Sequence, residues 1–146
     1  MNNVAAGLEV RHALPDDAPA LSRLFDELGF PATAGEIAVR LEAMPHAALV
    51  AVRGSQVVGL LTTNIMPVLH RPTPVGRISA LVVTRHERRR GTGRALVRAA
   101  EDLLMQQGCA LIEVTSNFRF EEAHAFYRQL GYESTSLRFK KELNPA

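Results

Sequence analysis

A nearly unbroken apolar run, VGRISALVV at residues 75–83, is the feature that most constrains the fold of this chain. A run of this kind is typical of a central strand that is covered on both faces, because a strand with one wet face alternates apolar and polar residues. An arginine-rich turn follows, and then GTGRALVRAAEDLLMQQG, the strongest helical pattern in the sequence. The succession of buried strand and long amphipathic helix indicates an α/β fold.

Hydrophobic periodicity and turn residues predict the other elements. Strands are predicted at residues 8–13, 46–54, 56–66, 75–83, 109–116 and 132–143, and helices at 15–29, 33–44, 91–108 and 120–131. Gly54-Ser55 predicts a hairpin turn, and the proline-rich residues 66–74 predict a loop. The order β-α-α-β-β-β-α-β-α-β has no linker-like interruption, so we expect a single domain over residues 1–146.

Charge is concentrated at one place in the sequence. The 146 residues carry a net charge of only +2, but residues 85–98 hold six arginines and one acid, Glu87, and are net +5, which leaves the remainder at −3. This pattern favours an anionic ligand at one site over a broadly basic surface, and we expect no nucleic-acid partner. No apolar run approaches the ~20 residues that span a bilayer, and the N-terminal sequence lacks a signal segment. We therefore expect a cytoplasmic protein with no membrane partner.

Metal and disulfide chemistry are not indicated. Cys109 is the only cysteine, which excludes an internal disulfide and a cysteine-based zinc cage. It is interpreted as a small buried hydrophobic residue. His12, His46 and His86 show no metal-ligand spacing with carboxylates, so no metal is expected.

The turn RRRGTG, at residues 88–93, has the features of an anion-binding site. The first turn of a helix leaves backbone N–H groups unpaired, and the helix dipole adds partial positive charge there. Glycine allows the backbone to approach an anion closely, and arginine donates forked hydrogen bonds to phosphate oxygens. The nucleotide P-loop and the dinucleotide fingerprint do not fit, because Gly93 is followed by Arg94-Ala95 and the position of a third glycine is Leu96.

The turn has two interpretations other than anion binding. Its arginines could be solvated without binding anything. They could also belong to a DNA-binding helix, which fits poorly because Arg88, Arg89 and Arg90 precede the helix.

Two motifs resemble those of the GNAT family of N-acetyltransferases. RRRGTG resembles the family's Arg/Gln-x-x-Gly-x-Gly/Ala signature between a strand and a long helix, and AHAFYRQLGY, residues 123–132, resembles its second motif. The order of elements is similar to that of the family from residue 8 to residue 143. Within the family, residues 115–143 resemble the bacterial small-molecule branch that includes aminoalkylphosphonate acetyltransferase. The resemblance implies a mixed sheet of about six to seven strands flanked by four helices.

The resemblance also implies that acetyl-coenzyme A binds across the turn as co-substrate. Backbone N–H groups of residues 88–94 and the arginine side chains would hold the diphosphate, and the backbone of Leu81 and Val83 would pair with the pantetheine arm. Asn117 or Ser116 would replace an asparagine that many relatives carry where this chain has Phe120. The residues expected to bind the co-substrate are Leu81, Val82, Val83, Arg88, Arg89, Arg90, Gly91, Thr92, Gly93, Arg94, Asn117 and Tyr127.

The activity implied is acetyl transfer to a primary amine of a small molecule by direct attack on the thioester. Tyr127 corresponds to the family's general acid, although its place on the apolar stripe of a helix also fits a core residue. Many relatives carry a basic glutamate on the central strand, where GRISALVV offers Ser79 and no acid. Candidate bases are Glu113, His70 and His124, and a water relay or a neutral substrate would need none of them.

The alternative function is a catalytically silent coenzyme A-binding regulatory or interaction module of the same fold. The missing glutamate and asparagine favour this alternative. As for assembly, the segment 134–143 would form an edge strand able to pair with a second copy, so a homodimer is considered.

Overall fold

Five strands form one sheet in the order β1-β2-β3-β4-β5. The computed structural model describes residues 7–144. The strands are β1 Leu8–His12, β2 Ala48–Arg53, β3 Gln56–Met66, β4 Val75–Val83 and β5 Leu111–Val114. Neighbouring strands are antiparallel from β1 to β4, whereas β4 and β5 are parallel. The sheet is therefore mixed, as the family resemblance implies.

In residues 7–144, four α-helices accompany the strands: α1 Ala18–Leu28, α2 Ala34–Ala43, α3 Thr92–Gln106 and α4 Glu121–Gln129. Short 3-10 helices at Pro15–Asp17 and Arg85–Glu87 precede α1 and α3. At the start of α2, Oγ1 of Thr33 accepts the Glu36 N–H at 3.1 Å, and the Glu36 carboxylate accepts the Thr33 N–H at 2.9 Å. This reciprocal capping box fixes the helix start that the sequence predicts.

The sheet is covered on both faces within the part of the chain that ends at Val114. Ala48, Val50 and Val52 of β2 belong to a core cluster with residues of α1 and α2. Because side chains alternate along a strand, Leu49 and Ala51 point to the other face, and they are equally buried. The continuous apolar character of these strands follows from this two-sided burial.

Helix α3 packs very closely on β3 and β4 at two glycines. A Cβ at Gly59 would lie 3.0 Å from Cδ1 of Leu96, and a Cβ at Gly76 would lie 2.9 Å from Cδ1 of Leu104. The missing side chains therefore let the helix approach the sheet. This approach places the first turn of α3 beside the end of β4.

The chain divides into two compact units, the second of which begins at Thr115. In that second unit, the ring of Tyr127 on α4 makes edge contacts with Phe126 and Tyr132, with ring centroids 5.2 and 5.8 Å apart. Gly131, just beyond α4, has φ +96°, a left-handed conformation typical of a helix end.

The predicted final strand at residues 132–143 is wrong. These residues form no strand in the described part of the chain, and the sheet accordingly has five strands rather than six or seven. Leu137 and Phe139, which produce the apolar alternation, are 81% and 87% exposed. Alternation reports only that a segment suits a half-buried strand, and it does not supply the neighbouring strand that a ladder needs.

Most other elements agree with the sequence. The hairpin turn at Gly54-Ser55 and the loop before β4 are confirmed. Cys109 is buried, as interpreted, and this burial raises the pKa of its thiol. Within residues 7–144, no helix combines the length and the apolar character needed to cross a bilayer.

Candidate active site

The arginine-rich turn has two residues in the left-handed conformation. After the 3-10 helix Arg85–Glu87, Arg88 is extended, with φ −67° and ψ 152°. Arg89 then has φ +64°, and Gly91, the N-cap residue of α3, has φ +84°. A left-handed conformation at a side-chain-bearing residue such as Arg89 is uncommon and costs free energy. Here it lies two residues before Gly91, the N-cap residue of α3.

This backbone presents a run of free donors. Among residues 7–144, none accepts a hydrogen bond from the backbone N–H groups of Arg89 to Arg94, and the Ala95 N–H is the first to bond back, to Gly91 O at 3.0 Å. Successive N–H groups in such a turn form a concavity that binds anions. The positive end of the α3 dipole adds to this preference. The residues present therefore fit a phosphate-bearing ligand, and we call residues 88–94 the cradle.

The arginine side chains of the cradle are only partly used within the chain. Nε of Arg88 donates to Val83 O at 3.1 Å, and NH1 of Arg90 donates to Oε1 of Glu87 at 3.0 Å. Just over half of each side chain stays exposed, 55% for Arg88 and 52% for Arg90. Both side chains are thus tethered within the chain and remain about half exposed to solvent.

Next to the cradle lies a buried carboxylate, Glu87, whose role the sequence alone does not predict. The side chain of Glu87 is 2% exposed. Burial alone would favour its neutral form, but hydrogen bonds from Arg53 and Thr92, together with the charges of Arg53 and Arg90, hold its pKa below the usual value. The sequence feature that points to this carboxylate is that Glu87 is the single acid among the six arginines of residues 85–98.

Beside the cradle, β4 has an edge without a strand partner in the described chain. Its pairing with β3 continues to Val83, whereas its pairing with β5 stops at Ile78. The register with β3 shifts between Thr62 and Thr63, which makes Ser79 an extra residue on β4. The Ser79 hydroxyl lies 2.8 Å from Oγ1 of Thr62. Leu81, Val82 and Val83 therefore lie on an open edge that leads towards the turn.

Two of the candidate bases, Glu113 and His70, lie in the unit that ends at Val114. Oε1 of Glu113, on β5, accepts a hydrogen bond from NH1 of Arg77 at 3.0 Å, so its charge is already balanced. His70 lies in the exposed loop before β4. Ser79, on the central strand, is hydrogen-bonded to Thr62 and offers no basic group.

The remaining candidates belong to the second unit. Nε2 of His124 lies 2.9 Å from the backbone oxygen of Asn117, and Oδ1 of Asn117 accepts the Arg119 N–H at 2.9 Å. Tyr127, three residues beyond His124, is half-buried, and desolvation raises its pKa to about 12. Its phenol therefore stays protonated throughout the neutral range.

Metal binding has no structural counterpart in the described residues. Between residues 7 and 144, no three or more His, Cys, Asp or Glu side chains are grouped so that they could hold an ion. The rings of His12 and His46 lie edge to face, with centroids 5.7 Å apart.

Comparison with known proteins decides the family. Residues 12–132 match the acetyltransferase (GNAT) family. The chain belongs to the GNAT family. Aminoalkylphosphonate N-acetyltransferase from Salmonella typhimurium strain LT2 is 32% identical to it over 141 residues, which covers 92% of this chain and 91% of that protein. This GNAT protein is therefore an acyltransferase that transfers acetyl groups to amines, with acetyl-coenzyme A as the donor.

Solved structures show the same fold. A GNAT family acetyltransferase from Staphylococcus aureus has a TM-score of 0.79 at 23% identity, over 94% of this chain and 99% of that one. The aminoglycoside N-acetyltransferase AAC(6')-Iy, in complex with CoA, has a TM-score of 0.81 at 15% identity, over 100% and 99% of the two chains. At these identities the likeness concerns the fold alone. The predicted GNAT fold is confirmed, with the difference in strand number noted above.

Proposed function

We propose that this GNAT acetyltransferase acetylates the primary amine of a small molecule, holding acetyl-coenzyme A by its diphosphate in the cradle. The observation that carries the proposal is the run of backbone N–H groups from Arg89 to Arg94, which have no acceptor among residues 7–144. These donors and the half-exposed guanidinium groups of Arg88 and Arg90 suit two linked phosphates. The pantetheine arm would extend along the open edge of β4 at Leu81, Val82 and Val83, as an added strand does.

The chemical step needs no group beyond the two substrates and a proton donor. The amine nitrogen forms a bond with the thioester carbonyl carbon, the C–S bond breaks, and its electron pair goes to sulfur. We assign Tyr127 to donate its hydroxyl proton to that sulfur, while the nitrogen loses a proton to water and the Tyr127 phenolate takes a proton back from solvent. Amide and free thiol result. The pKa of about 12 makes Tyr127 a weaker acid than an ordinary phenol but keeps it loaded with its proton.

The base is left to water in this proposal. Arg77 balances the charge of Glu113, and His124 contacts the backbone of Asn117, so each side chain already has a structural partner. An amine that binds in its neutral form needs only solvent to remove its proton. The first amines to test are aminoalkylphosphonates, because the relative that is 32% identical bears that name.

The binding half of the proposal is tested by thermal unfolding with and without acetyl-coenzyme A. At an acetyl-coenzyme A concentration near 100 times its dissociation constant, binding to the folded state raises the free energy of unfolding by about 2.7 kcal/mol. Gly91→Asp puts a carboxylate in the cradle and should abolish the shift in melting temperature. Gly91→Asn is the matched control, because Asn has nearly the same shape and tolerates the left-handed conformation without the charge. A Cβ added at position 91 would have no other atom within 4 Å, so neither substitution causes a steric clash.

The catalytic part of the proposal is tested by measuring the release of free thiol from acetyl-coenzyme A in the presence of each amine of a panel. Thiol release that depends on an amine supports the proposed enzyme. A shift in melting temperature without release from any amine would instead support the silent coenzyme A-binding module. Absence of the shift in the unmodified protein would contradict the cradle itself.

A further inference from the structure

We propose that Glu87 is a positioning residue for the diphosphate, one that holds the cradle in its binding shape before the co-substrate arrives. This inference rests on the proposed function of the cradle. Glu87 lies outside the RRRGTG motif, and its side chain is almost completely buried, with 2% exposed. A buried carboxylate cannot itself bind a phosphate, so any influence on the ligand must pass through the groups that it holds.

Three side chains from two parts of the chain, the end of β2 and the cradle, donate to this one carboxylate. Oε2 receives Nε of Arg53 at 2.9 Å and Oγ1 of Thr92 at 3.0 Å. NH2 of Arg53 also lies 2.9 Å from Oε2, which makes a close ion pair. Oε1 receives NH1 of Arg90 at 3.0 Å. The end of β2 and two residues of the cradle, of which Thr92 begins α3, therefore meet at Glu87.

These contacts fix the cradle on both sides of its unusual backbone. Arg89 and Gly91 have φ +64° and +84°. Glu87 precedes both of them, and its partners Arg90 and Thr92 lie between and after them. A left-handed conformation at Arg89 persists only where surrounding contacts hold it. The hydrogen bonds of Glu87 to Arg90 and Thr92 supply such contacts on either side of Gly91.

The charge balance separates this role from a simple electrostatic one. Arg53, Arg90 and Glu87 together are net +1, so replacing Glu87 by a neutral residue adds positive charge beside the cradle. If charge alone mattered, that change would strengthen the binding of an anion. If position matters more, binding weakens, because a neutral side chain such as Gln offers one acceptor oxygen where Glu87 offers two, and Arg90 and Thr92 cannot both keep their hydrogen bonds. The two roles thus predict opposite signs.

The experiment measures the dissociation constants of acetyl-coenzyme A and of S-acetylpantetheine, which lacks the diphosphate, by calorimetry. For Glu87→Gln we expect the dissociation constant of acetyl-coenzyme A to rise about tenfold, as for loss of hydrogen bonds to a charged group. The dissociation constant of S-acetylpantetheine should change less than about twofold. Asp102→Asn removes a charge of the same sign from an exposed position on α3 and should leave both constants unchanged.

A second pair of variants keeps the test decisive if Glu87→Gln does not fold. Thr92→Val keeps the shape of Thr92 but removes its hydroxyl donor, so acetyl-coenzyme A should bind about threefold more weakly. Thr92→Ser retains the donor and should restore the affinity. Equal weakening for both thioesters, no weakening, or tighter binding of acetyl-coenzyme A would each overturn the role given to Glu87. An unmodified protein that binds neither thioester would contradict the proposed function itself.

Discussion

Oε2 of Glu27, at the end of α1, accepts a hydrogen bond of 2.7 Å from Oγ1 of Thr84, in the segment between β4 and the cradle. Oε1 of the same carboxylate accepts the backbone N–H of Arg85 at 3.2 Å and lies 4.0 Å from NH2 of Arg88. Helix α1 thus anchors the residues that lead into the cradle. The sequence offered no sign of this contact, because 57 residues separate Glu27 from Thr84.

Glu27→Ala should lower the free energy of unfolding by about 1 kcal/mol, because two donors lose their acceptor. Asp26→Ala is the matched control, since it makes the same exchange at the neighbouring exposed position of α1. That variant should stay within about 0.5 kcal/mol of the unmodified protein. Urea denaturation of the three proteins measures both differences. Equal effects of the two variants would mean that the contact to Thr84 contributes nothing.

Tyr127→Phe should lower kcat by about a hundredfold if Tyr127 is the proton donor, the lower end of the usual range for general acids. Its KM for acetyl-coenzyme A should change little. Because the pKa of Tyr127 is about 12, the phenol remains protonated up to about pH 11. The unmodified enzyme should therefore show no alkaline loss of kcat from this group below that pH. Steady-state kinetics between pH 6 and pH 10 checks both points, and a Phe variant with full kcat would exclude the assigned role.

Asp17→Asn should destabilise the protein by about 2 kcal/mol at pH 7. Asp17 accepts two hydrogen bonds from Arg11, at 2.8 and 3.1 Å, and one from the Leu14 N–H at 2.7 Å. Above all, the hydrogen bonds from Arg11 lower the pKa of Asp17, although burial opposes this.

The pH dependence of that difference has a definite sign. A carboxyl whose folded pKa is lowered stabilises the protein above its unfolded pKa of about 3.9, and that stabilisation is lost as the pH falls through the folded value. The difference between Asp17→Asn and the unmodified protein should therefore shrink below pH 4. Asp16→Asn, at the neighbouring exposed position, serves as the control in denaturation at pH 7 and pH 3. A difference that stays constant with pH would contradict the assignment to this ion pair.

Gly76→Ala should destabilise the protein by about 2 kcal/mol, because the new Cβ would lie within 2.9–3.3 Å of three side-chain atoms of Leu104. Gly35→Ala is the comparison, since Gly35 lies in α2 with no atom closer than 4.0 Å to a new Cβ. That change should stabilise the protein by about 0.5–1 kcal/mol through helix propensity. Melting temperatures of the two variants should move in opposite directions. A neutral Gly76→Ala would mean that α3 can move away from the sheet at little cost.

The elements that depend on local patterns could be predicted from the sequence. Thr33 predicts the start of α2, Gly54 predicts the hairpin, and Gly91 predicts the entry to α3, because each acts through its own backbone and its nearest neighbours. The prediction of a strand at residues 132–143 was wrong for the opposite reason. Its pattern is local, but a strand forms only against a partner, and the sequence does not state where that partner is.

The candidate site divides in the same way. The motif predicts the cradle, because consecutive residues build it. The contact of Arg53 with Glu87 joins residues 34 positions apart, and it could not be predicted without the pairing of β2 and β3. The ion pair of Arg77 with Glu113 likewise depends on the register of β4 and β5. Ion-pair partners are set by topology, whereas caps and turns are set by neighbours.

The free N–H groups of residues 89–94 belong to the main chain, and every residue except proline carries the same donor. The recognition surface can therefore keep its shape while most of its side chains change during evolution. Selection would then act on backbone geometry: proline would be excluded from these six positions, and position 89 would accept glycine or asparagine as readily as arginine, because both suit φ +64°. In a library randomised at residue 89, the surviving sequences should be diverse in charge and uniform in the conformations that they allow.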